Sequence, residues 1–172
     1  MTDRSAAAPT TGDGELTVLV LGRPEALVER TIGHVRSVLG GLATAVLVVD
    51  PLDPVPWRTV AHGHVLMMHP GDRPTPALRD LLAGSTIRDS LVGGHRIRGA
   101  GHWEVDIAPR WPSDVPLSAV AGVGTPIELA SIVFDRAALP DGRTLPPGSA
   151  GGAVDLLADV TDRAPLTRVD TV

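Results

Sequence analysis

The first place to look for chemistry is the turn His69-Pro70-Gly71-Asp72, which sets an imidazole and a carboxylate three residues apart. It lies between an apolar run, Gly63 to Met68, and a segment of helical spacing begun by Pro74 and Pro76. Upstream, His62 and His64 share a strand face and could offer two imidazoles to a metal, with His69 as a third. His69 has the opposite parity and must turn back, and the spacing supplies no carboxylate, so ordinary loop and edge usage competes with metal binding. Farther on, His102-Trp103-Glu104-Val105-Asp106 gathers an imidazole, an indole and two acids. Glu104 and Asp106 point the same way on a strand, which suits acid/base work, an ion pair, or a solvated edge face with Trp103 packed behind it. Trp57, Trp103 and Trp111 fall in irregular stretches, where they cover or line a cleft. Ser85 and Ser149 lack the G-x-S-x-G elbow, and neither Gly93-Gly94 nor Gly151-Gly152 has phosphate-loop spacing.

The elements that position these groups follow from hydrophobic patterning. Leu16 to Leu21 is a continuous apolar run, the pattern of a strand covered on both faces, and Gly22 ends it. Pro24 and Glu25 suit a first helical turn, Leu27, Val28, Ile32, Val35, Val38 and Leu39 keep helical spacing, and Gly40-Gly41 stops the helix. Ala45 to Val49 reads as a second buried strand closed by Asp50. Strand, helix and strand with short connections imply a right-handed parallel unit, with Asp50 at the carboxyl edge where open α/β sheets bind ligands. PLDPVPW, with three prolines in seven residues, is a loop. His64 to Met68 is the third strand, and Thr75 to Leu82 a helix with Leu78, Leu81 and Leu82 on one face, capped by Gly84. The segment 86–109 reads as one or two antiparallel strands, Ile127 to Phe134 as a strand followed by a short helix from Asp135, and Ala153 to Thr161 as a final helix.

Composition limits the partners. The chain has 172 residues, 43% hydrophobic, enough for one domain with a proper core. A formal charge of −5 and the lack of any basic run argue against a nucleic-acid footprint. Lys, Asn, Gln, Tyr and Cys are all absent, the bias of a GC-rich genome, so the fifteen arginines carry no implication of phosphate binding. Without cysteine there are no disulfides, thiolate metal sites or thiol nucleophiles. Residues 1–14 read as a flexible tail ahead of a domain spanning 15–172. No segment reaches the roughly 18 apolar residues of a membrane span, and the start has no signal-peptide core, so a cytoplasmic protein is expected.

Across residues 16 to about 165 the order of elements resembles a known family. LTVLVLGRPEALVERTIGHVRSVL resembles the opening of the family 2 glycosyltransferases, inverting nucleotide-sugar enzymes of GT-A fold, with a strand, a turn ending in Arg-Pro-Glu and a helix. AVLVVD resembles their second strand, HGHVLMMHPGDRPTPALRDLLA their strand, aspartate-rich turn and helix, IELASIVFDRAALPDG their later strand, and GGAVDLLADVTDRAP their final acidic helix. The resemblance implies a single three-layer α/β domain, a truncated GT-A fold with a mixed, mainly parallel sheet around strands 16–21, 45–49 and 64–68. It also implies a nucleotide-sugar ligand near Asp50 and Asp53, and a divalent Mg²⁺ or Mn²⁺ at an Asp-x-Asp turn. Here that turn has His69 in the first ligand position and Gly71 in the second, leaving His69 and Asp72 as the implied ligands. The catalytic base is implied just before the last helix, at Gly152 and Ala153, with Asp155 nearby and Glu104 elsewhere as the remaining acids. Three readings follow: a transferase-like protein of a bacterial biosynthetic pathway with eroded metal and base positions; an active, metal-independent or unusual transferase using Asp50, Asp72 and Glu104 or Asp155; or an interaction module, a homodimer or a helper of another enzyme.

Overall fold

A computed structural model describes residues 15–22, 25–50, 60, 63–84, 90–98, 104–107, 129–139, 156, 159–160, 163 and 166–169. The fold is mixed α/β. Strands β1 (Leu16–Leu21), β2 (Ala43–Val49) and β3 (His64–Met68) come first, with helix α1 (Glu25–Val38) between β1 and β2 and helix α2 (Pro76–Gly84) after β3. Then come β4 (Ser90–Val92), β5 (His95–Arg98), β6 (Glu104–Ile107), β7 (Ile132–Asp135) and β8 (Leu166–Arg168). Six strands form one sheet in the order β2-β1-β3-β7-β4-β8, while β5 and β6 pair as a separate ribbon.

Strand direction follows the expected crossover logic. β1 is parallel to both β2 and β3, whereas β7 runs antiparallel to its neighbours β3 and β4, and β4 is parallel to β8. Thus β7 alone is reversed among the six. The continuous apolar runs of β1 and β3 are buried along their full length, as strands flanked on both sides and covered on both faces must be.

Each face of the sheet carries its own core. On one face α1 and α2 set Val28, Val35, Leu39, Leu78 and Leu82 against Val18, Val20, Leu66 and Met68. On the other, Leu19, Leu21, Met67 and Phe134 meet Val60, Ala138, Leu139, Leu156 and Val160. Arg136 secures this second face, its guanidinium donating to the carbonyls of Val60 at 2.6 Å and Leu139 at 3.3 Å.

Several expectations are corrected. β2 is not a buried strand: among the described strands it is the end of the sheet, with Val48 54% exposed. It also starts two residues early, because Thr44 is an extra residue between the pairs Leu16–Ala43 and Thr17–Ala45, a bulge secured by the Thr44 hydroxyl donating to the Leu16 carbonyl. The strand placed at 127–134 covers Ile132–Asp135, preceded by a 3-10 turn at Leu129–Ser131, and the helix from Asp135 is one 3-10 turn, Arg136–Ala138. Asp135 caps that turn, its carboxylate accepting from the Ala137 amide. Among the described residues of 86–109 there are three strands rather than one or two. Of the final helix, Leu156, Asp159 and Val160 are described as helical, and β8 after it was not anticipated. The tail 1–14 lies outside the described residues.

Candidate functional site

The carboxyl edge of the three parallel strands collects the best-placed polar groups. Val48, Val20 and Met68 are level across β2, β1 and β3, so the chain leaves all three strands at nearly one height. Asp50 follows β2, Gly22 follows β1 with a φ of 75°, and His69 follows β3. Two inter-strand spacings separate β2 from β3, which puts Asp50 and His69 roughly 10 Å apart with the end of β1 between them. α1 begins at Glu25, at the same edge. Open parallel sheets in general bind ligands beyond the carboxyl ends of their strands.

The turn after β3 is held from three directions. Pro70 in its second position and Gly71 in its third, with a φ of 106°, give the residue pattern of a type II turn. The Asp72 amide donates to the His69 carbonyl at 3.0 Å, closing it. The Asp72 carboxylate folds back, Oδ2 accepting from the His69 amide at 2.7 Å and lying 3.8 Å from His69 Nδ1. From α1, the fully buried Thr31 hydroxyl accepts from the Gly71 amide at 2.8 Å. Thr31 is not marked out by the sequence, because a threonine on the apolar face of a helix looks like β-branched filling; its one signal is that Leu or Val would fill the place equally well.

This geometry bears directly on a cation. His69 and Asp72 are two donors, and the Asp72 oxygen nearest the imidazole already accepts from a backbone amide. Mg²⁺ asks for octahedral oxygen coordination, so the turn by itself does not make the site. Among the described residues, no group of three His, Cys, Asp or Glu is arranged to hold a metal. The imidazole trio also dissolves. His64 opens β3 and His69 follows its end, which separates them by roughly 16 Å, and His62 lies outside the described residues. His64 is instead a buried side chain, its Nε2 without a hydrogen-bond partner among the described residues. Burial lowers its pKa from the ordinary 6.5, an effect that the charge of Asp135 opposes.

Glu104 and Asp106 do share one side of a strand, and that side is an ion-pair face. Arg96 grips Asp106 with two bonds, Nε to Oδ1 at 2.5 Å and Nη2 to Oδ2 at 2.9 Å. Glu104 lies 2.8 Å from Arg98 Nε and 3.4 Å from Arg96 Nη1. Arg96, chiefly through its hydrogen bond, holds the Asp106 carboxyl below the usual carboxylate range. Both acids are exposed on the β5–β6 ribbon, outside the six-stranded sheet. Asp53, Asp155, His102 and the three tryptophans Trp57, Trp103 and Trp111 lie outside the described residues, as do Gly152, Ala153, Ser85 and Ser149.

The edge therefore brings Asp50, His69 and Asp72 together and leaves Glu104 on another element. Comparison of the chain with protein families, with curated proteins and with solved structures finds no match. Among the described residues no helix is long and apolar enough to cross a membrane.

Proposed function

We propose that this chain is a family 2 glycosyltransferase-like protein of truncated GT-A type, with eroded metal and base positions. It binds a nucleotide or nucleotide-sugar at the carboxyl edge of β2, β1 and β3 without efficient sugar transfer. The observation that carries this reading is the Asp72 carboxylate, which closes its own turn onto the His69 amide. A carboxylate used in that way keeps the turn's shape while competing with any cation for the same oxygen. On this reading Asp50, roughly 10 Å away across β1, meets a ribose or base, a polar contact that needs no metal. The parallel arrangement of β1, β2 and β3 and the helix between the first two support the family resemblance, because the turn and Asp50 depend on it for their common edge.

The test is thermal unfolding with UDP- and GDP-sugars, with and without Mn²⁺, alongside an assay for released nucleoside diphosphate. A nucleotide-dependent rise in melting temperature that Mn²⁺ does not enlarge is expected, with Asp50→Ala abolishing it. A rise that requires Mn²⁺, accompanied by sugar transfer, would instead establish the active-enzyme reading. No shift with any nucleotide would end both.

A further inference from the structure

We propose that β2 is the seam of a homodimer, in which the edge strands of two copies pair antiparallel and extend the sheet across a two-fold axis near Leu47. This goes beyond ligand binding at the carboxyl edge and does not depend on it. Among the described residues no strand pairs with the outer side of β2. Edge strands that must stay single usually carry charge, proline or strong bulging along their length. β2 has its bulge at Thr44, near its start, and from there Ala45-Val46-Leu47-Val48-Val49 is regular and wholly apolar. Val48, the most exposed large hydrophobic side chain described, sits within this run.

The same strand is complementary to itself. With the axis at Leu47, Val46 of each copy lies opposite Val48 of the other on the α1 side of the sheet, and Ala45 lies opposite Val49 on the other side. Two β-branched cross-strand pairs thereby cover the exposed Val48.

The helix above argues for a second copy rather than an unrelated strand. Thr31 reaches Gly71 beyond β3, so that flank of α1 faces β3 and the opposite flank faces β2. At about 100° per residue, Glu25, Glu29, Ile32 and Arg36 line up on the β2 flank. The three charged residues are exposed. This stripe is acidic in its first half and basic in its last. A two-fold axis through β2 sets the two α1 helices antiparallel, bringing Glu29 of each copy toward Arg36 of the other. α1 is about 21 Å long and β2 about 23 Å, so an axis at Leu47, one residue from the middle of the strand, passes within about a turn of the middle of the helix. Strand pairing alone is a narrow seam; the helix flank widens it toward the about 1,000 Å² of a stable interface.

Sedimentation across a micromolar concentration series tests this. The native protein is expected at twice its 17.9 kDa chain mass. Val48→Lys places a charge on the seam at a solvent-facing position, and should weaken dimerisation about tenfold or more while leaving circular dichroism unchanged. Glu29→Arg opposes two arginines and should also weaken the dimer, whereas Glu29→Arg with Arg36→Glu restores it by reversing both partners. If Val48→Lys impairs folding, the helix variants, altered only at exposed side chains, decide. A native protein that is monomeric throughout, or a dimer indifferent to both Glu29→Arg and Val48→Lys, overturns the proposal.

Discussion

Gly63 is expected to be the least replaceable glycine in the described sheet, and Gly33 among the easiest to improve upon. Gly63 has a φ of 83°, a backbone region that L side chains rarely adopt. A methyl group there would fall inside the van der Waals shell of the Glu15 carbonyl oxygen. That oxygen also accepts from the His64 amide at 2.7 Å, and the Gly63 carbonyl accepts from the Arg136 amide at 3.0 Å. Gly63 is thus the point where β3 enters the sheet between β1 and β7. Gly63→Ala costs roughly 1–2 kcal/mol for the left-handed backbone and about 1 kcal/mol for a disturbed ladder bond, so about 2–3 kcal/mol in all. At roughly 2–4 °C per kcal/mol for a chain of this size, the melting temperature should fall by about 4–12 °C. Gly33 lies within α1, is exposed, and among the described residues has no atom within 4 Å of the place a methyl group would occupy. Gly33→Ala should therefore raise stability by about 0.5–1 kcal/mol, because alanine surrenders less backbone entropy to the helix. Calorimetry or urea titration of both variants measures the two signs in one experiment. An unchanged Gly63→Ala protein, or two variants shifted in the same direction, would refute the reasoning.

Two further outcomes follow from the buried polar groups. Thr31→Val removes the acceptor for the Gly71 amide; because Gly71 is exposed and water can replace the hydroxyl, the loss should be only about 1 kcal/mol, with faster hydrogen exchange at that amide as the specific readout. His64, with a folded pKa below its ordinary value, is neutral in both states above about pH 6.5; as pH falls below that, the unfolded chain takes up the proton first and stability declines by at most about 1.4 kcal/mol per pH unit until the folded pKa is passed. His64→Leu should flatten this acid-side slope in urea titrations at pH 7.5 and 5.5, and an unaltered slope would show that the loss of stability originates elsewhere.

The sequence disclosed what depends on near neighbours and missed what depends on strand order. β1 and β3 were legible with their full extents because a continuous apolar run has few alternatives to a strand covered on both faces. β2 looks equally apolar, and its composition does not reveal that it ends the sheet. Edge or centre is decided by what lies beyond a strand, and for β2 that is a property of the whole topology. β8 is three residues long and owes its place to pairing with β4, with the Val169 amide extending the ladder to the Val92 carbonyl. No local periodicity can announce so short an element. β7 likewise shrank to four residues because the preceding Leu129–Ser131 winds into a 3-10 turn.

The candidate site divides along the same line, and the division bears on its function. That Asp50 and the His69–Asp72 turn share an edge was readable, since parallel strands bring their carboxyl ends together whatever side chains they carry. How the turn spends its polar groups was not, because that depends on Thr31, 40 residues away from Gly71, and on the direction taken by one carboxylate. The Asp72 carboxylate, the His69–Asp72 backbone bond and the Thr31 hydroxyl all hold the turn in place. Such a tether fixes the shape of the turn independently of a cation.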